Sequence, residues 1–230
     1  MKKTICYILT LLPLAVTVIA LPFLPEKIPA HYGMNGQVTR WGSKYETLFL
    51  PVIIILFGLF MMPAIRSAAK KEAGGTNNEK VGILATLLSL GIFNIMTLFF
   101  LYTDFCQVED LSVTFADHGR VIFGLWGIFM ILIGNVMPKL RRNSLIGLRT
   151  KWSMKNEVTW KKSQFAGGVS FIIAGVAIIF ICAAVPDIDY LLWSVWILGI
   201  LLVADIFISY KIAKKVLGTL QADNTARQRG

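Results

Sequence analysis

Phe165-Ala166-Gly167-Gly168-Val169-Ser170-Phe171-Ile172-Ile173-Ala174-Gly175-Val176-Ala177-Ile178-Ile179-Phe180-Ile181-Cys182-Ala183-Ala184-Val185 runs for 21 residues without an acidic or basic side chain. At about 1.5 Å of rise per helical residue, such a run crosses the roughly 30 Å hydrocarbon core of a bilayer. Five comparable runs occur elsewhere: Thr4 to Leu24, Thr47 to Ile65, Val81 to Thr103, Val121 to Met137 and Tyr190 to Tyr210. Asp205 is the one formal charge inside any of the six. A composition of 56% hydrophobic and 16% charged residues, with a mean hydropathy of +0.66, agrees with this and departs from that of a soluble domain. The expected fold class is all-α integral membrane, a six-transmembrane-helix bundle.

The net charge of +10 raises the question of nucleic acid, and the distribution of charge answers it. The N-terminus and the segments after the second, fourth and sixth runs hold 19 Lys or Arg against four acids, Glu72, Glu79, Glu157 and Asp223. The opposite loops hold four, Lys27, Arg40, Lys44 and Arg120, against eight acids. Short loops rich in Lys and Arg stay on the cytoplasmic side, so both termini are expected inside a multi-pass protein of the cell membrane. The basic balance then serves orientation and attraction to lipid headgroups, with no direct nucleic-acid role. Lys2-Lys3 followed by an apolar run and Val18-Ile19-Ala20 also has the look of a cleavable leader. The run continues to Leu24, however, and its removal would leave an odd number of spans. Cys6 and Cys182 lie in apolar runs and Cys106 outside them, so no disulfide framework is expected.

The alternating connectors pair the spans into three successive hairpins. Met62-Pro63-Ala64-Ile65-Arg66 returns as Met137-Pro138-Lys139-Leu140-Arg141, a faint internal repeat. Ala69 to Lys80 reads as a flexible inner linker and Gln221 to Gly230 as a frayed tail. In the first outer loop, Ile28, Ala30 and Tyr32 alternate with other residues, Asn35-Gly36 suits a tight reversal and Val38 to Trp41 returns, which predicts a small β-hairpin-like cap. It serves either as a packed plug held by Trp41 and Tyr32 or as a ligand-contacting surface. Ala166, Gly167, Ser170, Ala174 and Ala177 form a small-residue ridge suited to close helix packing.

Catalytic chemistry has little to work with. His31 and His118 lack metal-ligand spacing with each other or with Cys and carboxylates, so no enzyme activity, cofactor or metal is expected. Asp205 lies six residues from Lys211, about 9 Å below the inner interface, and is expected to pair with a basic loop. That loop runs from Pro138 to Gln164, where Arg141, Arg142, Arg149 and Lys151 converge on a segment able to hold an anion. Lipid-headgroup anchoring and partner docking both suit it. Ser153 is placed to cap a helix with Met154, Val158, Lys161 and Phe165 on one side, and Trp152 and Trp160 at the interface.

The order Gly134-Asn135-x-Met137-Pro138-Lys139, then Asn143, Ile146-Gly147-x-Arg149-Thr150, Trp152 and Trp160, resembles the signature of the SdpI immunity-protein family. Leu24 to Gln37 with Trp41 and Ser43-Lys44 resembles the family's upstream outer-loop motif. The resemblance implies an N-terminal transmembrane hairpin with its outer cap over 1–80, an SdpI-type four-helix domain over 81–217 and a polar cytoplasmic tail over 218–230. It also implies a bacterial protein that protects its producer from a secreted antimicrobial peptide toxin and sequesters a cytoplasmic repressor at the membrane. Under it, Asn135, Arg141, Arg142, Asn143, Gly147, Arg149, Thr150, Trp152 and Trp160 form the inner partner or anion surface, and His31, Tyr32, Asn35, Gly36 and Trp41 the outer ligand candidates. A general envelope-stress or peptide-resistance protein and a small-solute transporter are the alternatives.

Overall fold

Six helices carry the six apolar runs: α1 (Lys2–Ala20), α2 (Phe49–Lys71), α3 (Gly75–Phe105), α4 (Leu111–Val136), α5 (Glu157–Ala184) and α6 (Asp189–Arg229). The computed structural model describes the backbone of residues 2–33, 36–71, 75–185 and 189–229. It describes their side chains except at 2–3, 71, 111–119, 121–122 and 220–229. Five of the helices are long and apolar enough to cross a membrane, and Phe123–Lys139 adds a shorter apolar helix. The protein is a multi-pass membrane protein.

The helices outrun the apolar stretches that announce them. α3 begins at Gly75 rather than Val81 and α5 at Glu157 rather than Phe165. Hydropathy marks only the part of a helix that meets hydrocarbon, whereas backbone hydrogen bonding continues into polar sequence. For the same reason most of the expected linker is helical: 69–71 end α2 and 75–80 begin α3. Residues 221–229, expected to fray, continue α6.

The helices gather as two groups of three, one of α1, α2 and α3 and one of α4, α5 and α6, with α3 also against α4. Cys6, Ile54, Met62 and Leu90 are the buried centre of the first group; Met130, Ala174, Ile178, Cys182 and Tyr190 are that of the second. A third cluster, Val81, Met137, Leu140 and Trp160, lies where the α4–α5 connector meets α3. The tightest seam runs between α4 and α5. A Cβ at Gly134 would lie 2.5 Å from the Gly168 carbonyl oxygen, and one at Gly127 would lie 2.7 Å from that of Gly175. The closest approach thus falls at Gly168 and Gly175, which the expected ridge of Ala166, Gly167, Ser170, Ala174 and Ala177 does not include, while Ala174 is buried beside them and Ser170 turns toward α6.

The expected hairpin is present. β1 (Lys27–Tyr32) pairs antiparallel with β2 (Val38–Ser43), Pro29 opposite Trp41 and Tyr32 opposite Val38, with register shifts on either side of His31. Gly36 sits in the turn at φ 80°, a conformation that disfavours a side chain. A 3-10 turn over Lys44–Leu48 leads into α2. Glu46 accepts from the Ser43 N–H at 3.3 Å and from the Arg40 guanidinium at 2.8 and 3.1 Å, which fastens β2 to that turn.

Inside the first group, Pro13 interrupts α1. Proline has no N–H, so the Leu9 carbonyl one turn earlier loses its helical donor, a costly loss in lipid. Asn94 of α3 replaces it: its Nδ2 donates to Leu9 O at 2.8 Å and to Leu90 O at 2.7 Å. Asn94→Leu should lower stability by about 1–3 kcal/mol in the wild-type background. The loss should be clearly smaller alongside Pro13→Ala, which restores the donor to Leu9. Equal thermal-unfolding losses in both backgrounds would show that Asn94 acts through other contacts.

Candidate functional site

Two ends of the bundle gather polar chemistry. At the hairpin end, Tyr32 extends to the α3–α4 connector, where its hydroxyl donates to the Val108 carbonyl at 2.9 Å. Burial, opposed by a Thr103 hydrogen bond and assisted by the Asp104 charge, pushes the Tyr32 phenol up to about 12, so it remains a neutral donor at physiological pH. The Val38 N–H donates to Glu109 O at 3.0 Å and the Gln107 side chain to Lys27 O at 3.1 Å. The cap is therefore bound to the connector along both strands. His31 Nδ1 lies 2.6 Å from the Thr39 hydroxyl on the facing strand. Trp41 is 41% exposed, so it does not hold the plug as Tyr32 does. Asn35 lies outside the described residues.

Beneath the hairpin, a cleft of about 310 Å³ is lined by Ile28, Ala30, Arg40, Glu46, Phe100 and Asp104, among others. Asp104 is buried and accepts a hydrogen bond from Thr47 at 3.1 Å. None of the four described outer-loop candidates, His31, Tyr32, Gly36 and Trp41, lines this cleft. The sequence counts Asp104 only among the eight acids of the opposite loops, and its position against the folded-back strand shows it as part of a cavity wall.

At the other end, the α4–α5 connector folds into a fixed platform. Asn143 is 4% exposed; its side-chain oxygen accepts from the N–H groups of Leu145 and Ile146 at 2.8 and 2.7 Å, and its amide donates to Arg141 O and Ile146 O. Asn78 of α3 forms a reciprocal pair with the Arg141 backbone at 3.0 and 3.2 Å. Gln164 of α5 does the same with Leu148, 2.9 Å in each direction. Trp160 is 1% exposed and donates its indole N–H to Leu140 O at 2.8 Å, so it belongs to the interior and not to the membrane interface. Ser153 is also buried and closes a turn with Thr150, while Asn156 caps α5 by accepting from Thr159 N–H at 2.8 Å. Thr150 reaches the Ser209 hydroxyl of α6 at 2.8 Å.

The nine residues expected at this surface thus have different jobs. Asn143, Gly147, Thr150 and Trp160 hold the platform. Arg141, Arg142 and Arg149 are exposed upon it, with Arg142 3.3 Å from Glu157. Trp152 is half-buried against Tyr210, under Lys151 at 4.8 Å. Asn135 is exposed on α4 below the platform. Asp205 is 3% exposed and hydrogen-bonds Ser170; it does not pair with the basic loop. The loop's network uses its backbone and polar side chains of the loop, α3, α5 and α6, leaving the arginines turned outward.

Residues 139–211, from this platform through most of α6, match the SdpI/YfhL protein family. Residues 8–55, covering α1, the hairpin and the start of α2, match a domain of unknown function, DUF1648. Over 222 residues, 95% of this chain and 99% of the relative, the sequence is 28% identical to "Immunity protein SdpI" of Bacillus subtilis (strain 168). The chain thus resembles the SdpI/YfhL protein family over its C-terminal part. No solved structure matches it significantly. The family match opens at Lys139, so Gly134 to Pro138 precede it, and the whole folded platform falls inside it.

The platform hinges on Gly147. Its φ is 101°, and a Cβ there would lie 2.5 Å from Gln164 Oε1. Gly147→Ala should cost roughly 1–3 kcal/mol through left-handed strain and displacement of Gln164. In detergent-solubilised protein it should speed trypsin cleavage between Arg141 and Lys151, whereas Asn135→Ala should not. Unchanged cleavage would mean that the loop is held without the Gln164 pair.

Proposed function

We propose that the chain is an immunity protein of the bacterial cell membrane, protecting its producer from a secreted antimicrobial peptide toxin and holding a cytoplasmic repressor at its basic platform. The observation that carries this reading is the platform itself: three arginines held outward on a loop whose backbone is completed by Asn143 within it and by Asn78 and Gln164 on neighbouring helices. Anchoring to lipid headgroups needs only charge. A loop built with reciprocal Asn78 and Gln164 pairs presents its charges in a set arrangement, which suits a folded acidic partner. The near full-length similarity to an immunity protein supports the protective half of the reading. At the hairpin end, the cap fastened to the α3–α4 connector, the exposed Trp41 and the cleft lined by Asp104 offer a surface to a peptide arriving from outside.

The charge distribution supports placing the basic platform and both termini in the cytoplasm. Reporter fusions should give a cytoplasmic signal at Gly230 and an exterior signal at Asn35. An exterior signal at Gly230 would overturn the orientation.

The two halves separate in one experiment, run in a toxin-challenged strain carrying a candidate repressor. The R141E/R142E/R149E triple variant should stay in the membrane and preserve survival while losing co-localisation of the repressor. The G36V/W41A double variant should lower survival at unchanged protein level. Recruitment by the triple variant would reduce the platform to a lipid anchor. Full protection by the double variant would move toxin recognition into the helices.

A further inference from the structure

Asp205 has no role in either surface, and its surroundings are unusual for a carboxyl group. It lies on the wall of a cavity of about 440 Å³ among α3, α4, α5 and α6, closed toward the basic end by Ile146, Gly147 and Leu148. Apart from Asp205, the wall is apolar: Val81, Ala85, Ile133, Phe171, Leu198 and their neighbours. The carboxyl is 3% exposed and lies beside the Ser170 hydroxyl, which also donates to Ala166 O at 3.1 Å, and Oδ1 has no hydrogen-bond partner among the described residues. A buried carboxylate oxygen left without a donor is a standing cost, because water is lost and nothing replaces it. The volume falls in the range of small-molecule sites, which are mostly apolar with a few polar groups that fix orientation. Leu202 at the rim is 62% exposed, so the cavity borders the surface that faces acyl chains.

We propose that the Asp205 cavity is a binding site for an amphiphile carrying one ammonium group and an apolar tail. The tail fills the space lined by Ala85, Ile133, Phe171 and Leu198, and the ammonium donates to Asp205 Oδ1. An alcohol of equal length would fill the space but offer only a neutral donor, whereas a carboxylate would meet a like charge. Hydrogen bonds involving a charge in a buried site are worth about tenfold or more in affinity over neutral ones, and that difference is the signature of the site. The same chemistry is available from a free lipophilic amine and from the headgroup amine of a membrane lipid.

The test uses the full chain in phosphatidylcholine nanodiscs, with decylamine and decanol as probes read by equilibrium binding and by the shift in thermal midpoint. Decylamine should bind the wild type about tenfold more tightly than decanol. Asp205→Asn, which keeps the shape and the Ser170 contact, should abolish that preference. Ala85→Phe, which fills the cavity, should weaken both probes together. Equal binding of the two probes by the wild type would overturn the proposal, as would a preference that survives Asp205→Asn or undiminished binding by Ala85→Phe. Adding phosphatidylethanolamine to the nanodiscs separates the sources: competition with decylamine identifies the headgroup amine as occupant, and its absence identifies a free amine. Neither toxin nor repressor enters the measurement, so its outcome is independent of the immunity reading.

Discussion

The contact between α4 and α5 at their glycines sets the geometry of the rest. Gly127 and Gly134 are two turns apart, as are Gly168 and Gly175, and each pair meets the other backbone to backbone with no room for a Cβ. Water expulsion does not draw helices together inside a bilayer, so close approach and the dispersion contacts that it permits must do so. A larger side chain at any of the four positions would force the helices apart at a cost of roughly 1–3 kcal/mol. The consequence reaches beyond the seam. Gly134 lies near the end of α4, opposite Gly168 about three turns into α5, so the helices leave little space between them, and the connector folds against the first turns of α5 instead of threading between the helices.

A connector folded onto helix ends buries backbone groups away from helical partners, and this protein answers with a single recurrent device. Amide side chains, each with donor and acceptor, are placed on neighbouring elements to complete the backbone: Asn78 for Arg141, Gln164 for Leu148, Asn143 for its own turn. Asn94 does so within the bundle for the carbonyl released by Pro13. A buried amide is tolerable when it is satisfied and expensive when it is not. The device therefore fixes conformation as well as contributing stability, and it explains why an arginine-rich loop has a defined shape.

The apolar runs were a strong guide because a bilayer leaves few solutions. Length and absence of charge sufficed for six helices, and Asn35-Gly36 between alternating residues sufficed for the hairpin. What the sequence did not disclose depends on distance along the chain. Gly168 and Gly175 are as small as their neighbours, and only the positions of Gly134 and Gly127 single them out. Trp160 has the composition of an interface residue, yet the Leu140 carbonyl draws it inward. Asp205 is expected to pair with the basic loop because it lies six residues from Lys211, close to the inner interface, whereas in the structure its neighbour is Ser170 on α5. Ser153 has a good capping side chain and was passed over for Asn156 because Thr150 engages it in a different turn.

These displacements share a physical sense that bears on how the molecule can be dissected. The platform's structural residues, Asn143, Gly147, Thr150, Trp160 and Gln164, are held by specific partners, and their loss would change its shape. Arg141 and Arg149 project from it, and Arg142 adds contacts to Met154 O and Glu157 at 3.3 Å, beside a residue that is itself exposed. Exposed pairs of this kind contribute between nothing and about 1 kcal/mol. Altering the charge of the arginines therefore changes what the platform presents while leaving it nearly intact, whereas altering Gly147 changes the platform and leaves the charges in place. Residues 146–148 also close the Asp205 cavity. The same few residues thus form the floor of the basic surface and the lid of an apolar chamber, so the loop cannot change shape without altering both.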